Sequence, residues 1–461
     1  MHEQRSLMTL KEALDKGEIT SKSLVTKTLK AVQVSEKTLN AMADLNPHAL
    51  YEAAESDRLR SLGAMRSPLE GIPVVVKDNI FTEGAMRTTA NAEVLKHYYA
   101  PYDADVVKRL KDAGAIIIGK ANLSEFAYFM AMGTMPSGYG SLHGQVVHPY
   151  NKKIDPLGSS TGSAVAVAAG YVPLAIGTET NGSLVSPAKQ NSIVTIKPTL
   201  HVVSQHGIIP VSSRQDCAGP MTRSVQDAAL ALDIIAQEKP WKQSCLEACQ
   251  DDVSTLRVGV LRLWDHPFSA SQNTVIKEAK DVFLKLGVCV KDLKFRYDLP
   301  SNLETLPTEF KHDIDAFLGN PHHQFPVKSL LELIKYNQAH HRKNLRYGQG
   351  MFYQSFATEG NLKASHYRQA VEKTTLAIEA FLRRFEEDAI DVLITPQVTS
   401  YAAVGGLPVL SVPAKPLNDE NPESLQFIAN PYREDLVFKA AYAYEQATKH
   451  RIPPKRESEN G

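Results

Sequence analysis

Apolar residues near the N-terminus recur with helical spacing, so that Leu7, Leu10, Ala13 and Leu14 would share one face of a helix. Further along, they form short unbroken runs, which are typical of strands buried on both faces. Strands are predicted at residues 72–76, 115–118, 174–176, 391–395 and 408–413. This alternation of helix, turn and strand predicts an α/β protein in which helices cover a sheet.

The stretch 236–385 is more polar and carries helical spacing, for example over Leu330–Tyr336 and Ala370–Phe385. We expect it to form a variable, mostly helical part of the protein that lies over the entrance to a site. The last residues, 453–461, are polar and are predicted to be a disordered tail.

Composition narrows the range of partners. The 461 residues include 51 basic and 51 acidic side chains, so the net charge is zero. A balanced charge gives no electrostatic attraction for nucleic acid or an anionic membrane. Because the N-terminus lacks a signal peptide and no run reaches the roughly 20 apolar residues of a membrane helix, we expect a cytoplasmic protein with no direct nucleic acid binding and no membrane contact.

Cysteine and histidine do not indicate a metal site. Cys245 and Cys249 have the spacing to share a helix face, but no paired ligands lie near them in the sequence. The histidine pairs at 322–323 and 340–341 are adjacent, and adjacent residues do not share a helix face. Reduced structural thiols are preferred over zinc binding, and we predict neither a metal nor a cofactor.

Chemistry concentrates in three short segments. Lys77 ends the apolar run Gly71-Ile-Pro-Val-Val-Val-Lys77, and two glycine turns carry serines, Leu157-Gly-Ser-Ser-Thr-Gly-Ser163 and Gly177-Thr-Glu-Thr-Asn-Gly-Ser183. A buried lysine can activate a serine through a second hydroxyl if its pKa falls by roughly 3 units. The small residues before Ser183 allow backbone amides to converge as an oxyanion hole.

An alternative nucleophile is Ser160, because residues 158–162 also fit the Gly-x-Ser-x-Gly pattern of α/β hydrolases. That nucleophile elbow requires a strand directly before it. Residues 150–156 are polar and end in proline, which indicates a loop. The pattern therefore favours the first arrangement.

Ordered motifs along nearly the whole chain resemble the amidase signature family, which includes amidases, fatty acid amide hydrolase and the A subunit of glutamyl-tRNA amidotransferase. The motifs are Gly17-Glu-Ile-Thr-Ser21, Pro68-Leu-Glu-Gly-Ile-Pro73, Gly114-Ala-Ile-Ile-Ile-Gly-Lys-Ala-Asn-Leu-Ser-Glu-Phe126, Lys197-Pro-Thr199, Asp216-Cys-Ala-Gly-Pro220 and Ala440-Ala-Tyr-Ala-Tyr-Glu-Gln-Ala447. The resemblance implies one domain over residues 1–461, with a large mixed β-sheet covered by helices on both faces.

The resemblance also assigns roles. Ser183 matches the nucleophile, Lys77 the base, and Ser159 the bridging serine that follows a cis peptide bond, here Gly158-Ser159. The backbone amides of Thr180, Asn181, Gly182 and Ser183 match the oxyanion hole.

The chain departs from the family pattern at four positions. Glu179 replaces an aspartate, Asn181 and Thr161 each replace a glycine, and Val185 stands where many members have arginine. We expect Asn181 to be tolerated because asparagine enters left-handed conformations more readily than most residues. The loss of the arginine argues against an acidic or glutamine-like substrate.

Three functions remain open from the sequence. The preferred one is an amidase that hydrolyses a small carboxamide through an acyl-enzyme, alone or as a homodimer. The alternatives are a glutaminase-type A subunit of a tRNA-dependent amidotransferase, which works with a partner, and a non-catalytic binding protein on the same fold.

Overall fold

The computed structural model describes residues 4–237, 239–241, 243–263, 265–296, 298–417 and 422–454. Most of the predicted disordered tail, from residue 455 onward, lies outside the described residues. The strands are β1 Met42–Leu45, β2 Pro73–Lys77, β3 Ile116–Ala121, β4 Tyr139–Gly140, β5 Gly144–Gln145, β6 Leu174–Glu179, β7 Val194–Lys197, β8 Cys217–Thr222, β9 Arg257–Leu263, β10 Cys289–Phe295, β11 Val392–Thr395, β12 Val409–Pro413 and β13 Ser424–Ile428.

The helices surround these strands. They are α1 Leu7–Asp15, α2 Ser21–Leu39, α3 Ala49–Ser61, α4 Asp105–Asp112, α5 Thr161–Ala168, α6 Val185–Gln190, α7 Val225–Ile235, α8 Cys245–Ala248, α9 Ala270–Lys285, α10 Leu306–Gly319, α11 Leu330–Ala339, α12 His341–Asn344, α13 Gly350–Ala357, α14 Ser365–Glu387, α15 Ser400–Val404 and α16 Glu434–Thr448, with 3₁₀ turns at Glu93–Leu95, Glu125–Tyr128, Val253–Thr255 and Asn302–Glu304. Side-chain oxygens of Ser6, Thr20, Ser224, Ser269 and Ser329 cap five of the helices.

Eleven of the described strands form one mixed sheet in the order β1-β3-β2-β6-β8-β7-β12-β13-β11-β9-β10. Strand β2 lies parallel to both β3 and β6, whereas β8 runs antiparallel to β6. At the other end, β9 is parallel to β10 and β11. The large mixed sheet and its covering helices are the architecture that the sequence predicted.

Both faces of the sheet are buried. In β2, Val74 and Val76 pack into the apolar cluster that contains α7 and α16, while Val75 packs into the cluster that contains α5. Successive strand residues point to opposite faces, so the unbroken apolar run reflects a strand covered twice. Lys77 therefore shares the face of Val75 and α5.

The stretch 236–385 contains strands as well as helices. The sequence analysis expected helices here, and the structure adds β9 and β10, which form one edge of the sheet. Strand β10 exposes five of its seven residues at least partly, so its apolar pattern is weak. Among the described residues, no helix is both long and apolar enough to cross a membrane.

Candidate active site

Lys77 is the last residue of β2 and is fully buried. Its Nζ lies 2.7 Å from Ser159 Oγ, 3.0 Å from Ser160 Oγ, 2.8 Å from Thr178 Oγ1 and 3.2 Å from the Thr178 carbonyl oxygen. The parallel strands β2 and β6 bring these groups together, because both end at the same edge of the sheet. The predicted amine and bridging hydroxyl are in direct contact.

The environment of Lys77 disfavours its charged form. Burial lowers the pKa of Lys77 to about 7, while the nearby carboxylates of Asp216 and Glu179 oppose that shift. Every neighbour of the amine given above is an uncharged oxygen, so none compensates fully for the lost hydration. The amine is therefore available as a base near neutral pH.

The other polar groups around the amine fix its orientation. Ser160 Oγ donates to the Thr178 carbonyl (2.9 Å) and accepts from the Thr178 amide (3.1 Å), so its remaining lone pair must accept from Lys77. Thr178 Oγ1 also accepts from Asn79 Nδ2 at 3.1 Å. With its N–H groups on Ser160 and Thr178, a neutral amine directs its lone pair at Ser159.

Ser159 is fully buried just before α5, and the Gly158–Ser159 peptide bond is cis. The Ser159 carbonyl accepts from the amide of Ser124 at 3.2 Å, which holds this turn against the segment after β3. Gly177 permits the close approach of the neighbouring serine, because a Cβ at that position would lie 2.8 Å from Ser160 Oγ.

Residues 180–183 form a turn between β6 and α6. None of their four backbone amides donates to another described residue, although buried or turn amides are normally paired. Gly182 has φ +80°. The carboxylate of Glu179 accepts from the amides of Leu184 and Val185 (2.7 and 3.1 Å), and so holds the end of the turn.

The expectation for Asn181 needs correction. Its φ is not positive; the left-handed position of this turn is Gly182. Asparagine is accommodated because its backbone is ordinary and its side chain is exposed, where Nδ2 donates to Ser400 Oγ at 3.0 Å. The departure from glycine thus adds a contact without straining the turn.

Ser183 lies beside the lysine group but is not hydrogen-bonded to it through its side chain. Its carbonyl accepts from the Ser160 amide at 3.2 Å. Within the described part of the chain, its half-buried hydroxyl makes no hydrogen bond. The structure thus joins Lys77 to Ser159 directly and brings Ser183 next to them through the backbone.

Asp216 is a further buried group that the sequence analysis did not assign. Its Oδ1 accepts from the Thr180 hydroxyl at 2.5 Å, and its Oδ2 accepts from the amides of Val211 and Ser212. Burial raises the pKa of Asp216 to about 7. The available signal was its place in the Asp216–Pro220 motif, but the motif does not show that it contacts Thr180.

The nucleophile-elbow alternative for Ser160 is not supported. Residues 151–157 form turns and coil, with no strand before the serine. Ser160 is also fully buried with its hydrogen committed to Thr178. It positions the amine instead.

Two further features concern the charge near the turn and candidate metal ligands. Val185 is buried in an apolar cluster with Leu261 and Leu407, which leaves no charge in the place of the family's arginine. Within the described ranges, no group of three or more His, Cys, Asp or Glu side chains is placed to hold a metal ion.

Comparison with known proteins gives consistent matches. Residues 23–404 match the family described as Amidase. The chain is 33% identical to a probable amidase of Arabidopsis thaliana over 98% of this chain and 92% of that protein, and 32% identical to the A subunit of the glutamyl-tRNA(Gln) amidotransferase of Symbiobacterium thermophilum over 92% and 94%. The crystal structure of the native peptide amidase from Stenotrophomonas maltophilia has a TM-score of 0.91 and 34% identity, covering 99% of both chains.

Proposed function

The chain belongs to the amidase family and is an amide-hydrolysing enzyme, and on this premise we propose that Ser183 attacks the amide with Lys77 as base and Ser159 as bridge. The observation that carries the proposal is the buried Lys77 amine, 2.7 Å from Ser159 Oγ. The turn at residues 180–183, whose four backbone amides donate to no other described residue, supports it.

In the first step, neutral Lys77 takes the proton of Ser159 while Ser159 takes the proton of Ser183. The Ser183 oxygen then bonds to the carbonyl carbon, and the negative charge that develops on the carbonyl oxygen is stabilised by the amides of residues 180–183. Each well-placed donor contributes about 3 to 4 kcal/mol to such a transition state.

In the second half, the proton returns through Ser159 to the leaving nitrogen as the carbon–nitrogen bond breaks. This leaves an acyl-ester on Ser183 and releases ammonia or an amine. Water, deprotonated by the same relay, then hydrolyses the ester and restores the Ser183 hydroxyl.

Labelling with a fluorophosphonate probe tests the nucleophile. We expect the wild type and Ser365→Ala, a control at an exposed serine, to be labelled, and Ser183→Ala to lose labelling and amide turnover. Persistent labelling of Ser183→Ala would place the nucleophile elsewhere.

A second candidate is a glutaminase-type component of an amidotransferase, which the similarity to the Symbiobacterium protein favours. The apolar surroundings of Val185 argue against it, because they supply no cation for a substrate carboxylate. Ammonia release from glutamine only with a tRNA-binding partner would support this candidate. Cytoplasmic location and a homodimer stay predictions; light scattering of the purified protein tests the homodimer.

A further inference from the structure

A cleft of about 790 Å³ opens beside the turn that carries Ser183. Ser186, which lines it, donates its amide to the Gly182 carbonyl at 2.8 Å. Val398, which also lines the cleft, lies 3.9 Å from the position that a Cβ at Gly182 would occupy. The cleft is therefore lined by residues that contact Gly182 in the turn at residues 180–183, here called the oxyanion turn after its proposed role. Its volume falls in the range of roughly 300–1,000 Å³ typical of ligand sites.

The lining mixes polar and apolar side chains and offers little net charge. Neutral hydrogen-bonding side chains contribute to it, among them Gln190, Gln272 and Gln397. Apart from His266, the described lining residues with ionisable side chains are Lys189 and Glu423, whose charged atoms pair at 3.0 Å. A charged ligand would therefore meet charges that are already neutralised, whereas a neutral ligand with amide groups would meet matching donors and acceptors.

One wall of the cleft is a short segment, residues 397–400, held at both ends. At one end, Gln397 Nε2 donates to the carbonyl of His266 at 2.9 Å. At the other, Ser400 Oγ accepts from Asn181 Nδ2 at 3.0 Å. Asn181 stands where the family pattern has glycine, which has no side chain to make this bond, so the second attachment depends on a side chain that the family pattern does not supply.

We propose that the cleft binds the part of the substrate that extends from the reacting amide, that this part is neutral and rich in hydrogen-bonding groups, and that Asn181 is a specificity-determining residue that attaches the Ser400 wall to the oxyanion turn. The inference rests on the proposed function in one respect, since Ser183 marks where the reacting amide lies. Without the hydrogen bond between Asn181 and Ser400, residues 397–400 are held less firmly. A substrate long enough to contact this segment then binds more weakly, whereas a short substrate that does not reach it is unaffected.

Binding to an inactive protein tests this without requiring turnover. In a Ser183→Ala background, titration calorimetry measures the Kd of N-acetyl-alanyl-glutaminyl-alaninamide. Adding Ser400→Ala is expected to raise Kd by about threefold to tenfold, the effect of one lost hydrogen bond. Asn181→Gly should give a similar change, and the double variant no more than either, because both remove the same bond.

The outcomes separate the two proposals. An unchanged Kd in the Ser400→Ala protein, or additive effects of the two changes, would overturn the role of Asn181. Retention of amide turnover by Ser183→Ala would instead count against the proposed function and leave these Kd values unaffected. Ser365→Ala in the same background is the matched control, and its Kd should equal that of the parent.

The charge of the ligand is tested with two further peptides, in which lysine or glutamate replaces the central glutamine. Each is expected to bind roughly threefold more weakly than the neutral peptide, because accommodating it disturbs the Lys189–Glu423 pair. Tighter binding of either charged peptide would overturn the assigned substrate class.

The same variants have a kinetic readout in the active enzyme. Ser400→Ala should lower kcat/KM for the peptide amide by about threefold or more relative to kcat/KM for acetamide. An equal loss for both amides would show that the change acts on the oxyanion turn rather than on selectivity.

Discussion

The uncharged state of one side chain, Lys77, governs the proposed reaction. Because burial lowers the pKa of Lys77 to about 7, the basic form is scarce below that pH and predominant above it. We predict that kcat/KM rises about tenfold per pH unit below pH 7 and levels off above it. Since the charge of Asp216 raises the pKa of Lys77, Asp216→Asn should move the midpoint to lower pH; a midpoint that stays in place would contradict the assignment of the base.

The same desolvation predicts that Lys77 destabilises the fold. One pKa unit corresponds to about 1.4 kcal/mol, so lowering the pKa from 10.5 to about 7 costs roughly 4 kcal/mol at pH 7. Lys77→Met loses hydrogen bonds worth about 1 kcal/mol each but removes this cost. Because the neutral amine makes three such bonds, we expect the variant to be inactive, yet more stable at pH 7 by about 1 kcal/mol in urea denaturation.

The pH dependence of that difference has a definite sign. Between pH 7 and 10.5 the folded wild type binds fewer protons than the unfolded chain, so its stability rises with pH. Lys77→Met lacks this rise, and its advantage should shrink as pH approaches 10.5. A constant difference across this range would show that burial of the amine is not the cause.

Ser159 and Ser160 are adjacent in the chain but have different roles in the proposed reaction. Ser159→Ala breaks the proton relay, and we expect turnover to fall about 10²- to 10⁴-fold. Ser160→Ala removes one acceptor that orients the amine, for a loss of about tenfold. Steady-state kinetics on a simple amide measures both; a larger loss for Ser160→Ala would favour Ser160 as a direct participant.

At the scale of elements, the strands covered on both faces were predictable from the sequence. The apolar runs at 72–76 and 408–413 correspond to β2 Pro73–Lys77 and β12 Val409–Pro413, and the helical face at Leu7–Leu14 is buried as expected. These patterns are strong because burial on both faces excludes polar residues. The cis bond before Ser159 and the contact of Lys77 with Ser159 are present in the structure, and the sequence pointed to both only through the resemblance.

Other elements could not be predicted because they are stabilised by contacts with residues far away in the sequence. Strand β8 carries glycine and proline, Cys217-Ala-Gly-Pro-Met-Thr222, and is strand only because it pairs with β6 and β7. The contacts of Asp216 with Thr180 and of Asn181 with Ser400 join residues 36 and 219 positions apart. No local pattern encodes such pairs.

The ends of β2 and β3 are held together by a buried ion pair. Lys120 Nζ lies 3.5 Å from Asp78 Oδ1 and donates to Thr88 Oγ1, while Asp78 also accepts from the Thr89 amide and hydroxyl. Burial raises the pKa of Asp78 to about 6 and lowers the pKa of Lys120 to about 8. Each charge therefore depends on its partner.

We predict that Lys120→Met lowers the free energy of unfolding by about 3 to 5 kcal/mol, because it leaves the Asp78 carboxylate buried without its cation. Adding Asp78→Asn should recover part of the loss. Urea denaturation of the two proteins measures the free energies of unfolding. A double variant as unstable as the single one would indicate that Lys120 stabilises the fold through its hydrogen bonds to Thr88 and the backbone rather than through its ion pair with Asp78.

At the scale of the molecule, the helices of the 236–385 stretch are attached to the oxyanion turn through the loop before β8. Glu309 on α10 accepts from Ser212 Oγ at 2.6 Å and from the Tyr367 hydroxyl at 3.0 Å, and it pairs with Arg214 at 2.9 Å. The Ser212 amide in turn donates to Asp216, which accepts from Thr180. A continuous chain of contacts thus links α10 and α14 to the turn.

We predict that Glu309→Gln weakens this chain, because glutamine loses the ion pair with Arg214 and its buried amide NH₂ must face one of the groups that now contact the carboxylate. The free energy of unfolding should fall by about 1 to 3 kcal/mol. Because the turn that carries Ser183 is then held less firmly, the rate of fluorophosphonate labelling of Ser183 should fall by about threefold to tenfold. Glu304→Gln, at an exposed acid nearby, is the control and should change stability by less than about 0.5 kcal/mol. A Glu309→Gln protein that is destabilised but labelled at the wild-type rate would show that these helices support the fold without positioning the oxyanion turn.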